Sequence, residues 1–588
     1  MFEQHYEAEL RHLREAGKEF AKAHPERAAA LNMDRFGTPD PYVERLFEGF
    51  AFISAQLRQK LHDDLPELTE GVVSLLWPNY MRMIPSLAIL EFQPKPHVLQ
   101  QRQTLASGVR MRSGTIGNTG VQCEYRSTQP VELAPIRLLR AEPDINEAGR
   151  SLIRLEFEIE PQAEWAKLDL SKLRLYLHAD APVAFTLRHY LLDCVERVIL
   201  RAEGDAGLRQ ELGGKGRFAQ AGFDAEERLW PSANTAFSGY ELLQEYFAFR
   251  EKFLFVDLQG LENLRLPPGL RRFTLDCVLD KALPADLRFS AANVRLFCTP
   301  IINLFELEAE PVSVDLTRDE YRLNPLLRES GLIETYSVDE VIAFNHHDGA
   351  RLPYVPFSSF KHRGGLARED SPERYYHARP RRGVSGRHEM WLALGGHANV
   401  DPANPPRETL SVRLTGSNGL LPRQALRDAT ITELVAGSPD LAGCFNITSP
   451  TLPQYPPTDD RFHWRLISHL LPSLMSLIDA EVMRSTLALY DWSEQEANRR
   501  RIDGVQKLEC SRSHRMHKGS VISGFAIRIE VTGSHFADEG DLRLFGAILC
   551  EFFRLYVPVN AYADLTLRVL PRGTELHWRC DIGAMSVM

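Results

Sequence analysis

Two glutamates one helical turn apart, Glu241 and Glu245, are the residues of this chain whose type and spacing most resemble a catalytic pair. They lie in the aromatic-rich stretch GYELLQEYFAFREKFLF, residues 239–255. An i,i+4 spacing places both carboxylates on one helix face, whereas the paired carboxylates of glycoside hydrolases normally come from different elements and face each other across a cleft. Ser238 and Glu241 also have the spacing of a capping box, with Ser238 at the N-cap. The stretch therefore predicts a capped helix followed by a strand at 253–256, in which the rings are packing surface.

Histidines between residues 346 and 397 raise the question of a metal site. Adjacent His346 and His347 would point to opposite faces of a strand, which prevents them from sharing a metal ion. The others are scattered in and around an arginine- and glycine-rich segment: His362, His377, His388 and His397. The chain lacks P-loop, nucleophile-elbow and HExxH motifs, and its glycines at 114, 117 and 120 do not have the dinucleotide-binding spacing. The sequence therefore predicts no catalytic, cofactor-binding or metal-binding residue.

Two arginine clusters could bind an anionic partner. One is formed by residues 499–501, and the other follows a pair of tyrosines and consists of Arg379, Arg381, Arg382 and Arg387. Arginines beside aromatic residues are typical of single-stranded nucleic-acid binding. Exposed arginines at a protein interface are the alternative, and the net charge of −10 favours it because nucleic-acid-binding domains usually carry a basic surface.

The composition is that of a large folded protein. A chain of 588 residues exceeds what one hydrophobic core usually serves, which predicts roughly three or four domains. Hydrophobic residues make up 44% and charged residues 25%, as in ordinary soluble proteins. The N-terminus lacks the apolar region of a secretory signal, and no apolar run reaches the ~20 residues of a membrane span. The eight cysteines include no CxxC pair, so we expect buried free thiols in a soluble, cytoplasmic protein.

The elements that would position these residues begin with a helical N-terminal segment. Its first helix has a narrow apolar seam, typical of packing against another helix, including one from another chain: Tyr6, Leu10, Leu13 and Phe20. Residues 40–41, Asp-Pro, mark the next helix start because an acidic N-cap precedes proline at the first helical position. The apolar stripe of this second helix consists of Tyr42, Leu46, Phe50, Ile53, Leu57 and Leu61.

From Ser86 the apolar residues recur with period two, which predicts short antiparallel strands. We expect a multidomain α+β protein with sandwich- or barrel-like middle domains. Its predicted parts are an N-terminal helical segment (1–85), a β-rich domain (86–310) with a helix–strand joint at 238–256, a second β-rich domain (311–460) with a long mobile arginine- and glycine-rich loop (358–387), and a C-terminal α+β assembly module (461–588).

Several motifs resemble the TssF family, also called VasA or ImpG, of baseplate subunits of the bacterial type VI secretion system. They are YxxELxxLRxxGxxFAxxHP from Tyr6, DPYVERLxEGFAF from Asp40, LLWPxY from Leu75, GYxLLQEYF from Gly239, CTPIINLF from Cys298, WRLIS from Trp464 and PVN from Pro558. The similarity runs in order from one end of the chain to the other, which makes it more specific than any single motif.

The resemblance implies a structural wedge subunit, similar to the baseplate wedge proteins of contractile phage tails, and no enzyme activity or cofactor. Such a subunit would help to assemble the platform on which the tail tube and sheath polymerise and contract around the VgrG spike. The expected partners are TssG, clasped by two copies of this chain, and TssK, TssE, the VgrG hub and a second copy of the chain itself. Neither nucleic acid nor a direct membrane span is expected. The expected location is the cytoplasm of a Gram-negative bacterium, against the inner-membrane complex.

Wedge proteins need helices for an intersubunit bundle, and the N-terminal seams and the apolar run at 544–553 suit one. The sequence therefore predicts assembly contacts at Tyr6, Leu10, Leu13, Phe20, Tyr42, Leu46, Phe50, Phe545, Phe552 and Phe553. The alternatives are a carbohydrate-active enzyme built on β-domains, which the missing motifs disfavour, and a glycan- or nucleic-acid-binding module that uses the arginine-rich segment. The acidic net charge and the absence of a signal peptide disfavour that module.

Overall fold

The chain, analysed as a computed structural model, divides into two compact units, residues 1–81 with 457–471 and residues 82–456 with 472–588. The structure describes residues 6–7, 10–14, 16–17, 42, 44–55, 73, 78–163, 168–202, 209–214, 216–231, 238–263, 270–314, 318, 320–326, 332–345, 349–357, 374–383, 387–395, 408–424, 430–435, 441–457, 466, 478–517, 520–557 and 561–579. In these ranges, no helix has both the length and the apolar character needed to span a bilayer.

The first unit is helical in its described part. Residues 6–7, 10–14, 16–17 and 44–55 are all helical, and a short 3₁₀ helix covers Pro78–Met81. The predicted helical character of the N-terminal segment is therefore confirmed for its described residues up to Met81, while Ile84 already forms a β-bridge.

The second unit opens with two helices, α1 and α2, among short strands. Helix α1 covers Ala181–Asp193 and α2 covers Ser238–Ala248. The strands are β1 Leu87–Pro94, β2 Gln103–Leu105, β3 Arg110–Thr115, β4 Gln122–Ser127, β5 Val131–Leu133, β6 Ile136–Ile145, β7 Ser151–Ile159, β8 Lys172–Leu177, β9 Val195–Ala202, β10 Arg209–Gly213, β11 Phe218–Gln220, β12 Phe255–Gln259, β13 Arg272–Leu279, β14 Val294–Leu296 and β15 Cys298–Ile302. Short 3₁₀ helices lie at Gly117–Thr119, Ala225–Glu227, Arg250–Leu254, Leu261–Asn263 and Ala291–Asn293.

These strands form antiparallel sheets whose burial follows the period-two pattern. One sheet has the order β10-β9-β13-β7-β6, a second has β11-β12-β8-β14, and β2 pairs with β5. In β7, Ile153, Leu155, Phe157 and Ile159 are each at most 1% exposed, while Arg154, Glu156 and Glu158 between them lie nearer the surface. The alternation that predicted these strands is confirmed.

The next strands curl into a barrel. They are β16 Phe305–Glu308, β17 Val312–Val314, β18 Glu320–Leu323, β19 Glu334–Asn345, β20 Arg351–Pro356, β21 Tyr375–Arg382, β22 His388–Gly395 and β23 Glu408–Ser417. The order is β16-β23-β19-β20-β21-β22-β18, with β17 also on β23. The two edges meet through a bridge between Ala309 and Pro325 and a 2.8 Å hydrogen bond from Leu326 N to Glu308 O. The interior is apolar and includes Val341, Leu392 and Leu410, each 0% exposed.

The prediction of a loop at 358–387 is wrong for the last part of this segment. Tyr375–Arg382 is strand β21, which pairs along its whole length with β22. The run of arginines did not prevent strand formation because alternate residues of a strand face opposite sides, so charged residues can line the outside of a barrel. Residues 358–373 lie outside the described residues.

After a short helix, α3 Leu421–Gln424, the chain returns to the first sheet region with β24 Ile431–Leu434 and β25 Ala442–Asn446. These strands complete a six-stranded sheet of order β24-β3-β4-β15-β1-β25. The register pairs Leu90 with Asn446 and Met111 with Leu434. Two strands that the sequence assigned to the second β-rich domain therefore lie in a sheet of the first.

The C-terminal part is an α+β module. Its elements are α4 Ala480–Tyr490, α5 Glu496–Asp503, β26 Val505–His517, β27 Ser520–Thr532, a 3₁₀ turn Gly533–His535, α6 Glu539–Arg554, β28 Tyr562–Leu570 and β29 Thr574–Arg579. The sheet order is β26-β27-β28-β29, and β27 and β28 are parallel. Parallel neighbours need a crossover connection, which α6 supplies. The predicted fold class, a multidomain α+β protein with β-rich middle domains, is confirmed.

Candidate assembly surfaces and the helical joint

Helix α2, which carries most of the stretch GYELLQEYFAF, is buried on all sides. Residues 240–249 are each at most 6% exposed. Its rings meet those of α6: the Tyr240 and Phe552 centroids are 5.6 Å apart at a steep angle, and those of Tyr246 and Phe545 are 6.0 Å apart. The interpretation of the rings as packing surface is supported, but the buried surface is the whole helix rather than one face.

Two details of this stretch correct the sequence prediction. Helix α2 begins at Ser238 itself, one residue earlier than a helix with Ser238 at its N-cap. The predicted strand at 253–256 begins only at Phe255, because Arg250–Leu254 forms a 3₁₀ helix. Glu241 forms an ion pair with Arg228 at 3.5 Å.

Glycines let α6 approach both α1 and α2 closely. A side chain at Gly540 would lie 2.1 Å from the carbonyl oxygen of Phe185 on α1, and one at Gly239 would lie 2.9 Å from the carbonyl oxygen of Glu551 on α6. Such contacts are too short for any Cβ atom, so both positions require glycine. We call α1, α2 and α6 together the helical joint, because they connect the first β-rich region to the C-terminal module.

An ion pair lies inside the joint. Lys252 donates to Glu245 Oε2, and both side chains are 0% exposed. Glu245 Oε1 also accepts a 2.7 Å hydrogen bond from Leu229 N. Burial lowers the pKa of Lys252, and the carboxylate of Glu245 acts in the opposite direction. Each oxygen of Glu245 therefore has a partner inside the joint, which supports a structural role for this carboxylate.

A second buried ionic cluster joins α5 to α6. Arg501 donates to Asp541 Oδ2 at 2.8 Å, and Arg250 reaches Asp541 Oδ1 at 3.5 Å. Asp541 is 0% exposed and the Arg501 side chain 5%. Burial acts to lower the pKa of Arg501, but Tyr246 and Asp541 outweigh it and the pKa is raised. The interpretation of residues 499–501 as exposed interface arginines is therefore wrong at Arg501.

The predicted assembly residues fall into three groups. Tyr6, Leu10 and Leu13 are half-buried, and Phe20 lies outside the described residues. Tyr42, Leu46 and Phe50 are 80%, 61% and 64% exposed. Phe545, Phe552 and Phe553 are at most 1% exposed, since they pack within the chain's own helical joint. Of these groups, the second offers the largest apolar surface to a partner.

The exposed group lies on one face of the helix at 44–55. Tyr42, Leu46, Phe50 and Ile53 recur at the spacing of a single helical stripe, and Ile53 is 56% exposed. Ala51 and Ala55 on the same helix are 0% exposed. The helix therefore buries small side chains and presents large apolar ones, the reverse of a solvent-facing helix. We call Tyr42, Leu46, Phe50 and Ile53 the N-terminal stripe.

One arrangement resembles a cysteine nucleophile with its base. Cys194 Sγ lies 3.7 Å from His189 Nε2, and His189 Nδ1 lies 2.9 Å from Asp193 Oδ2. A nucleophilic cysteine needs a lowered pKa and access to substrate. Cys194 is only 2% exposed, and burial raises its pKa to about 11. The thiol is therefore protonated and enclosed, and the geometry is that of packing between α1 and α6.

The cysteines largely match the expectation of free thiols. Cys123, Cys194, Cys277, Cys298, Cys444 and Cys510 are free. Cys550 on α6 is disulfide-bonded, so the expectation is wrong at that position. Cys580 lies outside the described residues.

The histidines and arginines of the barrel are structural where they are described. His388 stacks on Tyr455 with ring centroids 4.2 Å apart, and Arg379 and Arg381 both face Glu320. His346, His347, His362 and His397 lie outside the described residues. In the part of the chain that the structure does describe, no three His, Cys, Asp or Glu side chains gather as metal ligands would.

A cavity of about 480 Å³ beside the end of β1 tests the carbohydrate-enzyme alternative. Its carboxylates include Glu91, which lies 3.6 Å from Arg295, and Glu160, which lies 3.0 Å from Arg137. Burial raises the pKa of Glu91 against the opposing effect of Arg295. Glycoside hydrolysis needs two carboxylates that act on one bond, and here each is held by its own arginine.

Comparison with known proteins gives one consistent result. Residues 1–584 match the family described as "Type VI secretion system, TssF". The type VI secretion system component TssF1 of Pseudomonas aeruginosa is 28% identical across 99% of this chain and 98% of that protein. A chain in a cryo-electron microscopy structure of a TssK-TssF-TssG baseplate subcomplex is 42% identical, with a TM-score of 0.80 over 93% of this chain and 99% of that one. A chain in a baseplate complex from the type VI secretion system is 40% identical, with a TM-score of 0.64 over 99% and 98% of the two chains.

Proposed function

Since this chain belongs to the TssF family of the type VI secretion system, we propose that it is a structural wedge subunit of the secretion baseplate and has no catalytic role. A similar chain occurs in a structure with TssK and TssG, which supports TssG and TssK as its partners. The family likeness covers both units of the chain, so the proposal concerns the whole molecule.

The observation that carries the proposal is the N-terminal stripe. Soluble monomers rarely leave several large apolar side chains side by side on one surface, and such patches usually mark a protein–protein contact. Tyr42, Leu46 and Phe50 are each more than half exposed in the isolated chain. We propose that the stripe packs against TssG, and that two copies of this chain hold one TssG.

The wider assembly follows from the same proposal. Six wedges of this kind, linked through TssK and TssE, would surround the VgrG hub in the cytoplasm and face the inner-membrane complex. The platform would then carry the tail tube and sheath during polymerisation and contraction.

Co-expression with TssG from the same bacterium tests the proposal. We expect a 2:1 complex of this chain with TssG by native mass spectrometry. The double substitution Leu46→Asp and Phe50→Asp should abolish the complex, because it places two charges in the buried centre of the contact.

The control is Leu452→Asp, since Leu452 is 52% exposed but lies in the second unit, outside the stripe. Circular dichroism should show that both variants keep the helical content of the native chain. A native chain that stays monomeric beside TssG would refute the proposal, and a stripe variant that still binds TssG would refute the role of the stripe.

A further inference from the structure

The hairpin of β26 and β27 extends past the sheet that it belongs to. Strand β28 pairs with β27 only from Gly524 onward, where Gly524 lies opposite Tyr562. The two strands of the hairpin nevertheless remain paired out to residues 517 and 520. Residues 511–517 and 520–523 therefore form a two-stranded projection, which we call the arm.

The base of the arm is fixed by one aromatic side chain. The ring of Tyr562 lies across Gly524, where a Cβ atom would be 2.6 Å from the ring. Ser513 Oγ is 2.9 Å from Tyr562 Oη, and the Arg515 guanidinium lies 4.2 Å from the ring centroid. Arg515 also reaches Asp564 at 3.4 Å. These contacts connect β26 to β28 across β27 and hold the arm in one direction.

The end of the arm is apolar. Met516 and Val521 lie directly opposite each other in the hairpin register, and they are 66% and 68% exposed. Because side chains alternate along a strand, Arg512 and His514 lie on the same face as Met516. No described residue of the chain covers this apolar pair. The end of the arm therefore has the character of a contact surface for a partner.

The arm is also basic in an acidic protein. Residues 510–529 contain Arg512, Arg515, Lys518 and Arg528 and no Asp or Glu, whereas the whole chain carries a net charge of −10. Arg515 already has a carboxylate partner, which leaves Arg512 as the described arginine of the arm closest to its apolar end. A partner of the arm should therefore combine an apolar floor with acidic rims.

A groove of about 750 Å³ on the same chain has this chemistry. It lies along β16, the first strand of the barrel, opposite β3 and β4. Leu326 is its exposed apolar residue, at 53%. Leu307 also lines it but packs on the barrel core. Arg112 of β3 lines the groove as well and is paired with Glu124 at 2.8 Å. Glu306 and Glu308 also line it, both are exposed, and neither has an ion-pair partner within the described part of the chain.

We propose that the arm of one copy docks in the β16 groove of a second copy. Met516 and Val521 cover Leu326, and Arg512 faces Glu306 and Glu308. Nucleic acid would satisfy the basic residues but offers nothing to the apolar pair, since its contacts with proteins are mostly to phosphate and sugar. The chemistry of the groove therefore favours a second copy as the occupant.

The proposed contact is heterologous, because the arm and the groove are different surfaces. A heterologous contact leaves a free arm at one end of a pair and a free groove at the other, so copies join into a ring or a chain. This arrangement goes beyond the binding of TssG and does not depend on it.

Cross-linking between two versions of the full-length chain tests the docking. One version carries Met516→Cys, and the other carries Leu326→Cys and a size tag. After mixing and mild oxidation, we expect a disulfide-linked heterodimer on a non-reducing gel. The matched control replaces Leu326→Cys by Leu452→Cys, since Leu452 is equally exposed at 52% but does not line the groove.

Charge reversal adds a second readout. Arg512→Glu in the arm version should reduce the heterodimer several-fold, and Glu308→Arg in the groove version should restore it, because the contact then carries the same pair in reverse. Cross-linking to Leu326→Cys that does not exceed cross-linking to Leu452→Cys would overturn the proposal. That outcome would leave the binding of TssG through the N-terminal stripe intact, so the two proposals fail separately.

Discussion

At the scale of single residues, the main feature of this protein is buried charge that serves packing. Glu245 and Lys252 form an ion pair with both side chains 0% exposed, and Asp541 receives Arg501 in the same helical joint. Removing one partner of a buried pair leaves an uncompensated charge, which costs far more than the pair itself contributes. The glutamates that resemble a catalytic pair are thus fixed by cationic partners, Lys252 and Arg228.

The substitution Glu245→Gln should therefore destabilise the chain strongly. We expect a loss on the order of 3–5 kcal/mol in the free energy of unfolding, because Lys252 loses the carboxylate that compensates its burial. Denaturant unfolding followed by intrinsic fluorescence measures the loss.

Two variants make this result specific. Glu496→Gln removes an exposed i,i+4 partner of Arg500, with the Glu496 side chain 77% exposed, and should cost about 0.5 kcal/mol or less. Adding Lys252→Met to Glu245→Gln should recover part of the loss, since the buried charge is then gone. Equal losses for Glu245→Gln and Glu496→Gln would contradict the structural role assigned to the pair.

At the scale of elements, helix α6 determines how the C-terminal module is attached. It supplies the parallel crossover between β27 and β28 and also contacts α1 and α2. Its N-cap is Asp538, which accepts hydrogen bonds of 2.7 Å from both Asp541 N and Thr186 Oγ1 of α1. One helix therefore belongs to two packing layers, which explains why twelve of its 16 residues are buried.

Gly540→Ala tests this double role. The new Cβ would lie 2.1 Å from a backbone oxygen of α1, so α6 must move away from α1 and the thermal unfolding temperature should fall. Gly49→Ala is the matched control, because Gly49 is helical and exposed and a Cβ there meets nothing within 4 Å. That control should be neutral or stabilising by roughly 0.5–1 kcal/mol, the gain in helix propensity. Similar melting of the two variants would rule out a tight α1–α6 contact.

At the scale of the whole molecule, the chain passes from the first β-rich region through the barrel and back. Strands β24 and β25 follow the barrel in sequence but complete the sheet of β1 and β3. A chain that is cut at residue 310 lacks β24 and β25, the two outer strands of this sheet. The first β-rich region is therefore incomplete in such a fragment.

A fragment of residues 86–310 should consequently fail to fold on its own. Without β25, the edge of β1 has unpaired backbone groups, and such an edge promotes aggregation. We expect the fragment to elute as aggregate in size-exclusion chromatography, while the full-length chain elutes as a folded species. A soluble fragment with a cooperative thermal transition would show that the returning strands are dispensable.

The local features and the family can be read from the amino-acid sequence alone. The period-two alternation of β7, the helical seams before residue 85 and the ordered motifs from Tyr6 to Pro558 depend only on neighbouring residues, and each led to a correct element or to the TssF family. Local patterns suffice there because the buried positions of a helix or strand recur with the period of that element.

What each side chain faces, in contrast, depends on how the elements pack. The N-terminal stripe and the apolar run of α6 both have apolar residues at helical spacing. The stripe is exposed, whereas the run of α6 is enclosed by α1 and α2. Glu245 meets Lys252, β25 meets β1 and the arginines of β21 meet the carboxylate of Glu320 through contacts between separate elements. No local pattern encodes these pairings, because each depends on how distant segments pack, and that packing decides which apolar surface remains open to a partner.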